Sequence, residues 1–132
     1  MAAISQVDRQ QMYARDVHRC IRCSAEQLLT CQHRAAVGMG GSKVQPRVLE
    51  CVTACLECNM RFESDLQGEA LRFGWKVRRW ANAAAVPVFY PLEGIWCVLI
   101  NDTRRPITEA EAVAMMHAVY GQEQYEKWGL AA

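Results

Sequence analysis

The sequence predicts an α+β domain in which short strands and helices are braced by a metal. Three observations predict it. Two C-x2-C pairs, Cys20-Ile21-Arg22-Cys23 and Cys55-Leu56-Glu57-Cys58, are separated by 31 residues, and four thiolates brought together by a fold close a tetrahedral zinc shell. Around them the chain reads strand, glycine-rich loop, strand, helix. Finally, 132 residues with 52% hydrophobic and 22% charged content suit one buried core rather than two. The expected organisation is a single domain over 1–132: an N-terminal helix in 1–19, a zinc-braced core in 20–80, a β-hairpin in 81–105, and a C-terminal helix and tail in 106–132.

In chain order, Ile4 to His18 holds Ile4, Val7, Tyr13 and Val17 at mostly helical spacing among good helix formers, predicting a leading helix. Glu26 to Cys31 reads as a short strand. Ala35 to Pro46 carries Gly38, Gly40, Gly41 and Ser42, which is loop chemistry. Arg47 to Thr53 reads as a second strand and Leu56 to Phe73 as one helix stopped by Gly74. Val86 to Tyr90 and Ile95 to Ile100 are β-branched and aromatic runs joined by Pro91-Leu92-Glu93-Gly94, a hairpin closed by polar Asn101 to Arg105. Thr108 with Glu111 three residues on is a capping box, so a helix should follow and stop at Gly121. The tail beyond, with Tyr125 and Trp128, docks or hangs free; the pattern does not choose.

The longest apolar runs fall well short of the roughly 20 residues that cross a bilayer, and no basic start followed by an apolar stretch marks a secretory leader. The expected setting is a reducing cytoplasm with no membrane partner. There, seven cysteines point to metal rather than to disulfides, and their odd number argues the same way. A shell of Cys20, Cys23, Cys55 and Cys58 leaves no position for water, so its zinc would be structural. Two alternatives stay open: iron–sulfur ligation by the same four, and pairing of Cys51 rather than Cys55 with Cys58. Cys55 gives the tighter knuckle, while Cys51, Cys31 and Cys97 sit in apolar strand contexts suited to buried thiols. Arg15 to Trp80 holds eleven Lys/Arg against seven Asp/Glu, whereas Ala81 to Ala132 holds three against six. Any polyanion would therefore meet the cysteine-bearing part. Trp75, Trp80 and Trp96 are expected in the core with Met115 and Met116, and His18 and His117 at ordinary helix positions.

Between the knuckles stand Cys31-Gln32-His33-Arg34 and Gly38-Met39-Gly40-Gly41-Ser42, and Asn59 follows Cys58 directly. With Glu63-Ser64-Asp65, Phe73-Gly74-Trp75-Lys76 and Val86-Pro87-Val88-Phe89, these residues resemble the HNH endonucleases of actinobacteria and their phages over roughly Cys20 to Arg105. That resemblance implies a ββα-metal fold braced by a four-cysteine zinc and cleavage of DNA, in a host cytoplasm if the chain is phage-encoded. At matching positions it implies His33 as general base, with Gln32 and Asn59 holding Mg2+ or another divalent ion. It implies DNA contacts from Arg34, Lys43 and the glycine loop, to which the cluster Lys76, Arg78 and Arg79 would add. Two positions depart from the pattern. Gln32 offers a neutral amide where a carboxylate or imidazole binds a hard cation better, and the central Asn falls at Leu49, Glu50 or Pro46. Asn59 is equally suited to capping the helix that it opens. The competing expectation is the same scaffold with an eroded ion site, binding DNA or a host or phage protein without cutting.

Overall fold

The computed structural model describes residues 3–35 and 45–130. It is α+β, with two small antiparallel sheets and, among the described residues, five α-helices. Helix α1 (Gln6–Arg15) starts where the Ser5 hydroxyl accepts the Asp8 N–H at 3.1 Å. It stops earlier than its periodicity predicts, because Val17 and His18 turn to φ 55°. His18 therefore lies past the helix, not in it.

Strands β1 (Leu29–His33) and β2 (Cys51–Cys55) pair from Leu29 opposite Cys55 to His33 opposite Cys51. A 3-10 turn, Val48–Glu50, occupies the start of the predicted second strand, so pairing begins at Cys51. β2 runs without a linker into α2 (Leu56–Arg61), whose cap is Cys55 itself. The predicted single helix to Phe73 is two: the chain breaks after α2 and resumes as α3 (Gln67–Arg72). Ser64 and Asp65, poor interior helix residues, occupy the break, and Asp65 reaches back to Arg61 at 2.8 Å. The bend delivers Phe62 and Leu66 to the same core. Gly74 ends α3 at φ +79°, and a Cβ there would lie 1.8 Å from the Pro87 carbonyl oxygen. Only glycine fits both conditions.

The second sheet has three strands, β3 (Val88–Tyr90), β4 (Ile95–Ile100) and β5 (Thr103–Ile107), where the sequence predicts two. The polar run after β4 is not a closing loop; it turns at Asn101-Asp102 and pairs back as an edge strand. Its exposed Thr103, Arg105 and Pro106 carry no apolar pattern, and an edge tolerates Pro106. The Thr108 capping box opens α4 (Glu109–Tyr120) as predicted, and the tail forms α5 (Gln122–Leu130), docked through buried Tyr125 and Trp128. No helix among the described residues is long and apolar enough to cross a membrane.

The two sheets are joined by buried polar groups. Arg15 and Asp16 form an ion pair at 2.8 Å with both side chains fully buried. Arg15 donates to the carbonyls of Val48, Cys51 and Asn101, while Asp16 accepts the Thr53 N–H at 2.8 Å and the Tyr90 hydroxyl at 2.6 Å. Every buried lone pair and donor that the ion pair brings in finds a partner, which is what makes its burial tolerable. The end of α1 is thereby tied to β2, to β3 and to the turn after β4.

Candidate functional site

The sulfurs of Cys20, Cys23, Cys55 and Cys58 lie within 4.8 Å of one another. Each knuckle is set by local backbone. Ser24 N–H bonds the Cys20 carbonyl at 3.0 Å, closing a tight turn, and Cys58 N–H donates to the Cys55 sulfur at 3.4 Å at the start of α2. The β1–β2 register then brings Cys55 to the end of the hairpin facing the first knuckle, and the Cys23 and Cys55 sulfurs stand 3.7 Å apart. Thiolates bound about 2.3 Å from a tetrahedral zinc would be about 3.8 Å from each other. The donor set and spacing therefore fit a metal. Cys20 and Cys58 are buried and Cys23 is exposed. Burial disfavours the Cys20 thiolate, but the N–H groups of Cys23, Cys55 and Arg22 outweigh it and lower that thiol. Burial and the neighbouring Cys20 push Cys58 up. Arg22, beside the cluster, is held to Glu69 at 2.7 Å.

Cys51 is elsewhere. It is fully buried under α1 with Ile4, Met12 and Val48, against half-buried Cys31. The adjacent Cys31 thiol, with burial, pushes Cys51 up, and the adjacent Cys51 thiol lowers Cys31. Cys97, on β4, is buried in the core.

Comparison of the chain with protein-family models, with curated proteins and with solved structures finds no match.

His33 closes β1, half-buried. Burial holds its imidazole below the usual 6.5, Arg9 adds to that, and Glu50 opposes it, so the ring is neutral at pH 7. Gln32, its neighbour, points to the opposite face of the strand and is sealed at 2% exposure with Nε2 unpartnered. Asn59 lies on α2 and turns to β1, donating to Thr30 Oγ1 at 2.8 Å and to the Cys31 carbonyl at 3.4 Å. It is not the helix cap, a role Cys55 takes. Among the described residues no second group of three or more Cys, His, Asp or Glu converges as the four cysteines do. Two amides, one sealed and one engaged, are a poor fit to a hard divalent cation. Glu50, at one candidate position for the central Asn, caps its own 3-10 turn by accepting the Arg47 N–H at 2.8 Å.

The expected DNA contacts divide sharply. Arg34 is fully buried and donates to the carbonyls of Gly74, Leu49, Ala83 and Val86 at 2.8, 2.9, 3.2 and 2.8 Å. It is a structural cross-link and cannot reach a phosphate. Lys76 is buried too, its ammonium 2.6 Å from Glu63. Arg78 and Arg79 are exposed. Lys43 and the glycines of the loop lie outside the described residues. Trp80, expected in the core, is 69% exposed while Trp75 is 1% exposed. The flanking pair of arginines was the available sign that this indole is not a core residue.

Proposed function

We propose that this chain is an HNH-like, metal-dependent endonuclease domain acting on DNA phosphodiester bonds, built around a structural zinc held by Cys20, Cys23, Cys55 and Cys58. The observation that carries the reading is one spatial unit: an antiparallel strand pair leads directly into α2, the two knuckles converge at one end of it, and His33 and Asn59 both sit on it. Sequence resemblance supplies the roles. Zinc supplies rigidity here rather than chemistry, since four sulfurs leave no open position. His33, neutral and half-exposed, suits a general base that takes a proton from the attacking water. The resemblance assigns a divalent ion to Gln32 and Asn59, which as sealed and engaged amides do not fit one, so no step of the proposed hydrolysis is placed on them.

A second reading is supported by the sealed amide of Gln32 and the engaged amide of Asn59. In it the same zinc-braced scaffold binds DNA, or a host or phage protein, without cutting. Supercoiled plasmid incubated with folded, zinc-loaded protein and Mg2+, Mn2+ or Ni2+ separates the two. Nicking that is lost with chelator and in His33→Ala supports hydrolysis; intact plasmid with every ion refutes it and leaves the binder.

A further inference from the structure

The turn Arg78-Arg79-Trp80 combines three properties found together nowhere else among the described residues. Its indole is 69% exposed, against 1%, 7% and 8% for Trp75, Trp96 and Trp128. Both guanidiniums are exposed, and neither joins any of the ion pairs among the described residues. The turn is also held in place. Ala81 N–H bonds the Arg78 carbonyl at 2.9 Å, Arg78 N–H reaches the Tyr120 hydroxyl at 3.4 Å, and the Arg78 guanidinium lies 5.8 Å from the Trp128 ring centre. Tyr120 meets the Trp80 ring edge-to-face at 5.5 Å, steadying it without covering it.

Position adds to composition. Ala35 bridges Val77, and the Val77 N–H bonds the Arg34 carbonyl at 2.6 Å. The turn therefore starts one residue past the point where the strand carrying His33 is pinned. A fixed aromatic face beside unpaired cations complements a polyanion that has open π-faces of its own. In a duplex those faces are already stacked; in a single strand they are free.

We propose that Arg78, Arg79 and Trp80 form a docking site for single-stranded nucleic acid, with the Trp80 indole stacking on an unpaired base and the two guanidiniums meeting flanking phosphates. The site shares the nucleic-acid reading given above but needs neither His33 as a base nor any catalytic ion, so the two can fail separately.

The test uses the full, zinc-loaded chain carrying His33→Ala, so that no strand is consumed, titrated with a thymidine oligonucleotide and with a hairpin duplex of equal length. Binding of the single strand should quench tryptophan emission, because Trp80 is the accessible indole. Trp80→Phe should lose the quench while the anisotropy of a labelled oligonucleotide still reports binding. Trp80→Ala should weaken binding about tenfold or more, and Arg78→Gln with Arg79→Gln should reduce the slope of log affinity against log salt by about 1.4. The proposal is overturned if the single strand does not bind, if the duplex binds as tightly, or if Trp80→Ala, folded by circular dichroism, binds like its parent. Plasmid left intact by the parent chain, with single-strand binding retained, would remove the hydrolytic reading and leave this one standing.

Discussion

Replacing Arg34 by Met tests whether this arginine holds the fold or meets a ligand. Methionine keeps most of the length and apolar bulk and removes all donors. Four carbonyls, on segments from Leu49, Gly74, Ala83 and Val86, then lose their partner inside the protein. A buried acceptor left unsatisfied costs about 1–3 kcal/mol. Even at the lower end, four give about 4 kcal/mol. Part of this is returned because a guanidinium without a neighbouring carboxylate no longer has to be buried. Burial, with the positive charge of Arg15 adding to it, pulls Arg34 down to about 10, still protonated at neutral pH, so the cation is desolvated at a real cost. The expected net loss is about 3 kcal/mol, a large share of the roughly 5–15 kcal/mol that stabilises a domain, with a fall in melting temperature of about 10 °C. Denaturation followed by circular dichroism under zinc-saturating conditions measures it, since metal loss would otherwise be coupled to unfolding. Arg34→Lys, which keeps a cation but not the planar fork, should fall between. Arg79→Ala, on the surface, should stay within about 0.5 kcal/mol. Arg34→Met within about 1 kcal/mol of the parent would refute the cross-link.

Metal analysis should find one equivalent of zinc that is lost in Cys55→Ala and kept in Cys51→Ala; the opposite pattern would show that the ligand set is wrong. If His33 is the base, nicking should need its neutral form, and the acid limb of the rate profile should lie below pH 6.5, the usual imidazole value. Arg9→Ala removes a positive charge that disfavours the imidazolium, so it should move that limb upward, and a limb that stays or moves down contradicts the assignment. Gly74→Ala would place a Cβ 1.8 Å from the Pro87 carbonyl oxygen at φ +79°. It should cost about 3 kcal/mol or more, read by chemical denaturation, and a near-neutral result would mean that the α3 to β3 approach is looser than described.

Much was legible in the chain because the signal was local. The two knuckles announce themselves by spacing, since a C-x2-C turn needs no distant residue to aim its sulfurs. The Thr108 capping box fixed the start of α4 for the same reason: donor and acceptor lie three residues apart. The β3–β4 hairpin was carried by its apolar runs, and the stop at Gly74 by glycine alone. Local patterns alone thus carry the α+β class, the order of strands and helices around the cysteines, and the four sulfurs available to a metal.

Tertiary structure decided the rest, through contacts between residues far apart in the chain. Arg34 and Lys76 read as surface cations, because charge usually stays in water, yet four carbonyls from three segments and Glu63 wait for them inside or at the margin of the core. Trp80 read as core because large aromatics usually are, yet no segment among the described residues folds over it. The edge strand β5 was hidden because pairing to β4 runs through backbone groups that carry no side-chain pattern. Cys51 and Cys55 differ by four positions in sequence. Only the register of β1 against β2, with the packing of α1 on one face, sends one sulfur to the cluster and the other beneath a helix.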